Sequence, residues 1–218
     1  MHYINPKNWK RKKHFEFFRK FKFPHFNICT EIEITETYHY TRRNKTSIFS
    51  GVLFAVMKTC NHFEEFRYRI KGQRIKVYDI VHPGTTVLAD NDLYSNCIFN
   101  FTEPFEKFLN EYKIASAKIK KIINVGEGQK GRDDLIFISA LPWITFTSVT
   151  NPMNGNPDDS IPRIIWGKHF RRNKKIFIPF SVQVHHALMD GVHVAKFFFK
   201  LTDLLKEPEK LFSNTFND

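Results

Sequence analysis

The segment Ser181–Phe197, SVQVHHALMDGVHVAKF, concentrates the residue types that move protons. His185 and His186 are adjacent, Asp190 and Gly191 follow shortly, and His193 comes just after them. A neutral imidazole, with an ordinary pKa of about 6.5, is suited to removing a proton from a hydroxyl at neutral pH. The residues before the pair, KIFIPFSVQVH from Lys175, read as a long apolar strand. Successive strand residues face opposite sides of a sheet, so only one of the two histidines enters a given pocket while the strand stays regular. One is then free for catalysis and the other for structure. Asp190 is placed to cap the helix that follows, and Gly191 permits a tight reversal of the chain.

Other uses of these residues stand beside that one. A metal pair is disfavoured, because His185, His186, Asp190 and His193 lack a helical i, i+4 pair followed by a third ligand at the usual spacing. Satisfied core histidines and a plain helix-capping aspartate are the remaining alternatives.

Several elements must position this turn. Helical spacing predicts helices over Asn8–Phe21, Thr46–Asn61, Glu103–Ile123 and Val192–Leu205. Strands are predicted over Asn27–Thr35, Arg74–Val81, Leu93–Phe101, Leu135–Ala140, Trp143–Val149, Ile164–Lys168 and Lys175–His185. Thr150–Pro162, TNPMNGNPDDSIP, is dense in turn formers and reads as a long loop within one domain. Asn124–Asp134, with its glycines, is a second irregular piece. Strands and helices in irregular order imply an α/β two-layer sandwich, a large mixed sheet with helices packed on it.

The chain has 218 residues, which fits a single domain, 1–218, with one sizeable core. Its 24 phenylalanines suit a ring-filled core or a ring-lined pocket. A formal charge of +12 favours phosphate-bearing partners, yet no nucleic-acid motif is present and the basic residues are scattered. Cys29, Cys60 and Cys97 are far apart and odd in number, which points to buried free thiols rather than disulfides or zinc. No signal pattern opens the chain and no apolar run is long enough to span a membrane, so a cytoplasmic setting is expected.

The HHxxxDG pattern at His185–Gly191 resembles that of the CoA-dependent acyltransferases, and the longer SVQVHHALMDGVHVAKF is similar to the chloramphenicol acetyltransferases in particular. Three further blocks, in matching order, carry the same likeness: NWKRKKHFEFFR at Asn8–Arg19, NHFEEFR at Asn61–Arg67 and SALPW at Ser139–Trp143. The resemblance implies that His186 is the general base, that Asp190 pairs with Arg11, and that Ser139 supports the tetrahedral oxyanion. It places Phe17, Phe18, Phe26 and Tyr94 on an acceptor pocket, and Lys168 and His169 beside the CoA phosphates. It implies acetyl-CoA as co-substrate, no permanently bound cofactor, no metal, no nucleic acid or membrane partner, and a homotrimer with active sites between subunits. Phe18, Gly126, Val149 and Ile165 depart from the family's pocket residues, which leaves two acceptors open: chloramphenicol, or another small hydroxyl or amine compound. A non-enzymatic phosphate or nucleic-acid binder is the reading from another class.

Overall fold

A computed structural model of the chain describes residues 1–89, 92–120, 122, 125–126 and 131–213. The first half contains β1 (His2–Ile4), α1 (Lys12–Phe18), β2 (His25–Glu33), α2 (Thr35–Arg43), α3 (Ile48–His62), β3 (Tyr68–Lys71), β4 (Arg74–Val77) and β5 (His82–Leu88). Then come β6 (Tyr94–Ile98), α4 (Phe105–Ile119), β7 (Leu135–Leu141), β8 (Arg163–Gly167), β9 (Phe170–Arg172), β10 (Lys175–His185), α5 (Gly191–Lys206) and α6 (Pro208–Phe212).

The larger sheet runs β2-β10-β8-β7-β5-β6, with β9 folded back on β10. The β5–β7 and β7–β8 pairs are parallel and the others antiparallel, so the sheet is mixed as expected. Strand β10 shows how the sequence sets its two faces. Ile176, Ile178, Phe180, Val182 and Val184 are all buried and join the main core with α3 and α5. Ser181, Gln183 and His185 alternate with them and face the other side. Helix α3 lies deep in this core, with Val52 through Met57 buried. Many of the phenylalanines are spent here: Phe54 packs against Phe101, Phe105, Phe108 and Phe212, and Phe66 stacks on Phe197.

A second, smaller sheet, β1-β4-β3, was not foreseen. It has its own apolar cluster, built from Phe15, Tyr68, Ile70, Ile75, Val77, Ala187 and Leu188. Helix α1 is shorter than its apolar spacing predicts, because a 3-10 turn at Pro6–Asn8 takes up the chain before it. Trp143–Val149 is not a strand; it forms no ladder among the described residues, and Trp143 and Ile144 are exposed. Cys29 is half-exposed rather than buried, while Cys60 and Cys97 are buried thiols. The irregular Thr150–Pro162 loop is present, whereas parts of the Asn124–Asp134 segment lie outside the described residues. No helix among the described residues is long and apolar enough to cross a membrane.

Candidate active site

Strand β10 ends at His185, and the chain turns at once. The His186 N–H donates to the Pro24 carbonyl at 2.8 Å, and the Leu188 N–H donates to the His185 carbonyl at 3.0 Å. Ala187 and Leu188 are buried in the smaller cluster, while Met189 is buried in the main core. Both cores therefore grip the turn, and substituting Leu188 or Met189 would loosen it from one side. Asp190 occupies the N-cap position of α5.

Its carboxylate is held from the N-terminal segment. Arg11, only 7% exposed, donates from Nη1 to Asp190 Oδ2 and from Nη2 to Asp190 Oδ1 at 2.9 Å. The same Nη2 also donates to the His186 carbonyl at 3.1 Å. A planar guanidinium can make this fork, and a lysine ammonium cannot. The Arg11 hydrogen bonds hold the Asp190 carboxyl below its ordinary range, against the opposing effect of burial.

The His186 ring lies against two aromatic rings. It stacks on Phe18 with centroids 3.9 Å apart and planes 10° from parallel, and Phe26 tilts against it at 4.6 Å. Its Nδ1 is buried, 3.3 Å from Asp190 Oδ1 but without the alignment of a hydrogen bond. Nε2 is the nitrogen left open to a reactant. Phe17 meets the edge of Phe18 at 5.1 Å and is 56% exposed, extending an apolar wall beside the base. Arg11, Phe17, Phe18, Phe26, His186 and Asp190 are thus brought together within one chain.

His185 points elsewhere. Its Nδ1 accepts the Ala187 N–H at 3.1 Å, and its Nε2 lies 2.8 Å from the Pro157 carbonyl, so that nitrogen carries the proton. With both nitrogens taken, the ring is not free to ligate a metal. Burial pushes its pKa down to about 4, so the neutral form is the folded one. His25 repeats the arrangement, with Nε2 at 2.5 Å from the Asp159 carbonyl, and its ring meets His185 edge-on at 5.1 Å. The two rings pin the 151–162 loop across the polar face of the sheet.

The remaining residues singled out in the sequence are not near His186 in the same chain. Ser139 is in register with Ile165, and Ile165 with Ser181. At strand and residue spacings of about 4.8 and 3.3 Å, Ser139 is about 10 Å across the sheet and about 17 Å along it from His186, so their Cα atoms are about 19 Å apart. Tyr94 is on β6, the far edge strand, about 19 Å across the sheet from β10 by the same spacing. Lys168 and His169 form the bulge between β8 and β9, which both pair with β10, about 27 Å from His186. His169 packs on Tyr38 at 5.1 Å, and burial followed by the Lys168 charge lowers its pKa.

The family model for chloramphenicol acetyltransferases matches residues 1–202. The chain belongs to the chloramphenicol acetyltransferase family. Chloramphenicol acetyltransferase 3 of Escherichia coli is 29% identical over 91% of this chain and 93% of its own. A chloramphenicol acetyltransferase of Staphylococcus aureus is 28% identical over 94% of this chain and 95% of its own. A solved chloramphenicol acetyltransferase superposes with a TM-score of 0.85 at 29% identity, covering 93% of this chain and 98% of its own. The cubic core of the pyruvate dehydrogenase multienzyme complex shares the fold, with a TM-score of 0.72 at 18% identity over 87% of this chain and 84% of its own.

Two residues beyond the HHxxxDG motif, one more polar side chain joins the turn. The His193 ring, on the first turn of α5, accepts the Asp190 backbone N–H at its Nδ1 over 2.9 Å. Its Nε2 faces Glu65 Oε1 at 3.7 Å. The signal was in the sequence: a side chain that can accept a hydrogen bond stands three residues after the capping residue. That position normally holds Glu or Gln, which is why a histidine there was weighed only as a metal ligand.

Proposed function

We propose that the chain is an acyltransferase that moves the acetyl group of acetyl-CoA to a hydroxyl of chloramphenicol. The observation that carries the reading is the forked Arg11–Asp190 pair, which holds the turn so that His186 presents an open Nε2 between aromatic rings. His186 Nε2 takes the proton of the acceptor hydroxyl, and the oxygen attacks the thioester carbonyl. The resulting tetrahedral oxyanion accepts a hydrogen bond from the Ser139 hydroxyl. Collapse breaks the carbon–sulfur bond, and the His186 proton passes to the departing CoA sulfur. No acyl-enzyme is needed.

The separation of about 19 Å between Ser139 and His186 in one chain supports a centre shared between copies. On this reading Ser139 and Tyr94, with Lys168 and His169 at the CoA phosphates, come from the neighbouring copy in a homotrimer. Trp143 and Ile144, apolar and exposed just beyond Ser139, suit burial in such an interface. Residues 1–218 act as one acyltransferase domain, with acetyl-CoA as a co-substrate drawn from the cytoplasm and no resident cofactor.

A second acceptor reading rests on two side chains. Phe18, stacked on His186, brings no hydroxyl to the pocket, and Ile165, beside Ser139, brings none to the oxyanion. Phe18 favours an acceptor that makes fewer polar contacts beside the base, while Ile165 leaves the oxyanion to Ser139. The test is release of CoA thiol from acetyl-CoA with chloramphenicol, run beside a panel of small hydroxyl and amine compounds. Turnover with chloramphenicol is expected. A folded protein that acetylates only another compound would replace the acceptor and keep the chemistry, and one that acetylates nothing would end the proposal.

A further inference from the structure

Tracing outward from the base, each bond hands on to another. Arg11 Nη2 bonds the His186 carbonyl and Asp190 Oδ1. The Asp190 backbone in turn gives its N–H to His193 Nδ1 at 2.9 Å, and His193 Nε2 faces Glu65 Oε1 at 3.7 Å. A backbone N–H can only donate, so His193 Nδ1 must carry a lone pair and its single proton sits on Nε2, turned towards the carboxylate. Glu65 is not part of the turn: it belongs to the 3-10 turn Glu64–Arg67, which joins α3 to the smaller sheet. The His193 side chain is 16% exposed and that of Glu65 24%, so water screens this contact only in part.

We propose that Glu65 and His193 form a positioning pair for the base: they fix the Asp190 backbone and, through Asp190 and Arg11, the orientation of His186. The proposal rests on the reading of His186 as general base. Asp190 must satisfy two demands at once, a side chain aimed at Arg11 and a backbone N–H facing into the first turn of α5. A rigid ring whose far nitrogen faces a carboxylate at 3.7 Å holds that N–H more firmly than the flexible Glu or Gln usual at this position. Neither His193 nor Glu65 touches a reactant, so both act on how often the base is aligned rather than on how substrates bind.

Two substitutions separate this role from simple packing. His193→Leu keeps bulk and removes the acceptor. His193→Gln keeps an acceptor for the Asp190 N–H. In the assembled enzyme, His193→Leu is expected to lower kcat on the order of 10-fold or more, within the roughly 10²-fold cost of misplacing a reacting group by about 1 Å. The KM for acetyl-CoA should stay within about two-fold, because its phosphates lie far from the turn on the proposed reading. His193→Gln is expected to recover kcat to within about three-fold of the parent. A His193→Leu enzyme with unchanged kcat, or a His193→Gln enzyme as slow as His193→Leu, overturns the pair. Should His193→Leu fail to fold, Glu65→Leu leaves the ring but frees it, and should lower kcat by about three-fold; unchanged kcat there also overturns the proposal. His186→Ala is run alongside: if it keeps normal turnover, the base itself has been misassigned, a failure distinct from that of the pair.

Discussion

The two ends of β10 are built in different ways. At the His185 end, most of the polar side chains have partners in the same chain, with Arg11 Nε and His186 Nδ1 buried and unbonded. Arg11 forks onto Asp190, His185 bridges Pro157 and Ala187, and His193 receives the Asp190 N–H. Two apolar clusters grip the turn between these bonds. Towards the other end, Ser139 is half-buried with no hydrogen-bond partner for its hydroxyl among the described residues, beside Ile165 and the exposed Trp143 and Ile144. Lys168 is exposed at the bulge between β8 and β9. The first region is held mainly by bonds within the chain, and the second presents apolar and polar groups at the surface. A reaction needing both a base and an oxyanion donor within a few ångströms of one carbonyl cannot be run by groups about 19 Å apart.

The sharpest way to break that contrast is to split the two regions between chains. His186→Ala should lower turnover by about 10²–10⁴-fold and Ser139→Ala by about 10²–10³-fold. When equal amounts of the two inactive proteins are dissociated and reassembled together, some interfaces join an intact His186 to an intact Ser139. Random mixing gives about one such interface in four, hence about a quarter of the parent activity. If each chain held a complete site, the mixture would do no better than its components, and the interface reading would fail.

Legibility in the sequence divides along the same line. The turn was readable because its logic is local: an apolar strand, two histidines of opposite facing, a capping residue and a helix follow one another without a gap. The Arg11–Asp190 pair spans the chain, and the family's N-terminal block rather than periodicity pointed to it. Strand β5 was missed because His82–Leu88 contains Pro83 and Gly84, which read as turn residues. A Cβ at Gly84 would approach the Phe137 ring at 3.3 Å, so a larger residue would make that ring give by a few tenths of an ångström. Trp143–Val149 was misread for an instructive reason. Its apolar residues have the pattern of a buried strand, but among the described residues it joins no ladder and is tied down by isolated bonds, from the Lys168 N–H to the Ile144 carbonyl at 2.7 Å and from the Asn27 amide to the Val149 carbonyl at 3.0 Å. The smaller sheet was missed in part because strands β1 and β3 are only 3 and 4 residues long, too short for alternation to register.

A smaller effect tests how self-contained the His185 end is. Asp190→Asn leaves the Arg11 charge buried without its counter-ion, and should cost about 3 kcal/mol of stability, the low end of such losses because Asp190 is partly exposed. Acid should probe the same region in two windows. The His185 pKa is pushed down to about 4, so its neutral form contributes stability that is whole above about pH 6.5 and is lost as pH falls towards the folded value. That loss amounts to about 3 kcal/mol when complete. His25, lowered by burial too, adds in the same direction. The Asp190 carboxyl is also lowered, so the Arg11 pair keeps its contribution down to about pH 4 and yields it only below. Melting temperatures measured from pH 7 to pH 3 should therefore fall in two stages. His185→Gln, with no proton to gain, should flatten the first stage and leave the second; an unaltered first stage would show that His185 is not the group that titrates.

The smallest effect belongs to the bulge between β8 and β9. Lys168 is exposed, with its backbone N–H tied to the Ile144 carbonyl at 2.7 Å. That bond fixes where the residue leaves the strand but does little to order the ammonium. Gly167 before it admits the Ile144 carbonyl, which would lie 2.8 Å from any Cβ at that position. A lysine so held can meet a CoA phosphate as a point charge, screened by water and by salt. Lys168→Ala should raise the KM for acetyl-CoA by about two- to five-fold and leave kcat and the acceptor KM alone. The increase should shrink as ionic strength rises, since salt already removes much of what the charge contributes in the parent. Initial rates at two salt concentrations suffice to read it. A fall in kcat of the size expected for Ser139→Ala would mean that Lys168 reaches the reacting carbonyl, and the division between the two regions would then have to be redrawn with the β8–β9 bulge inside the centre.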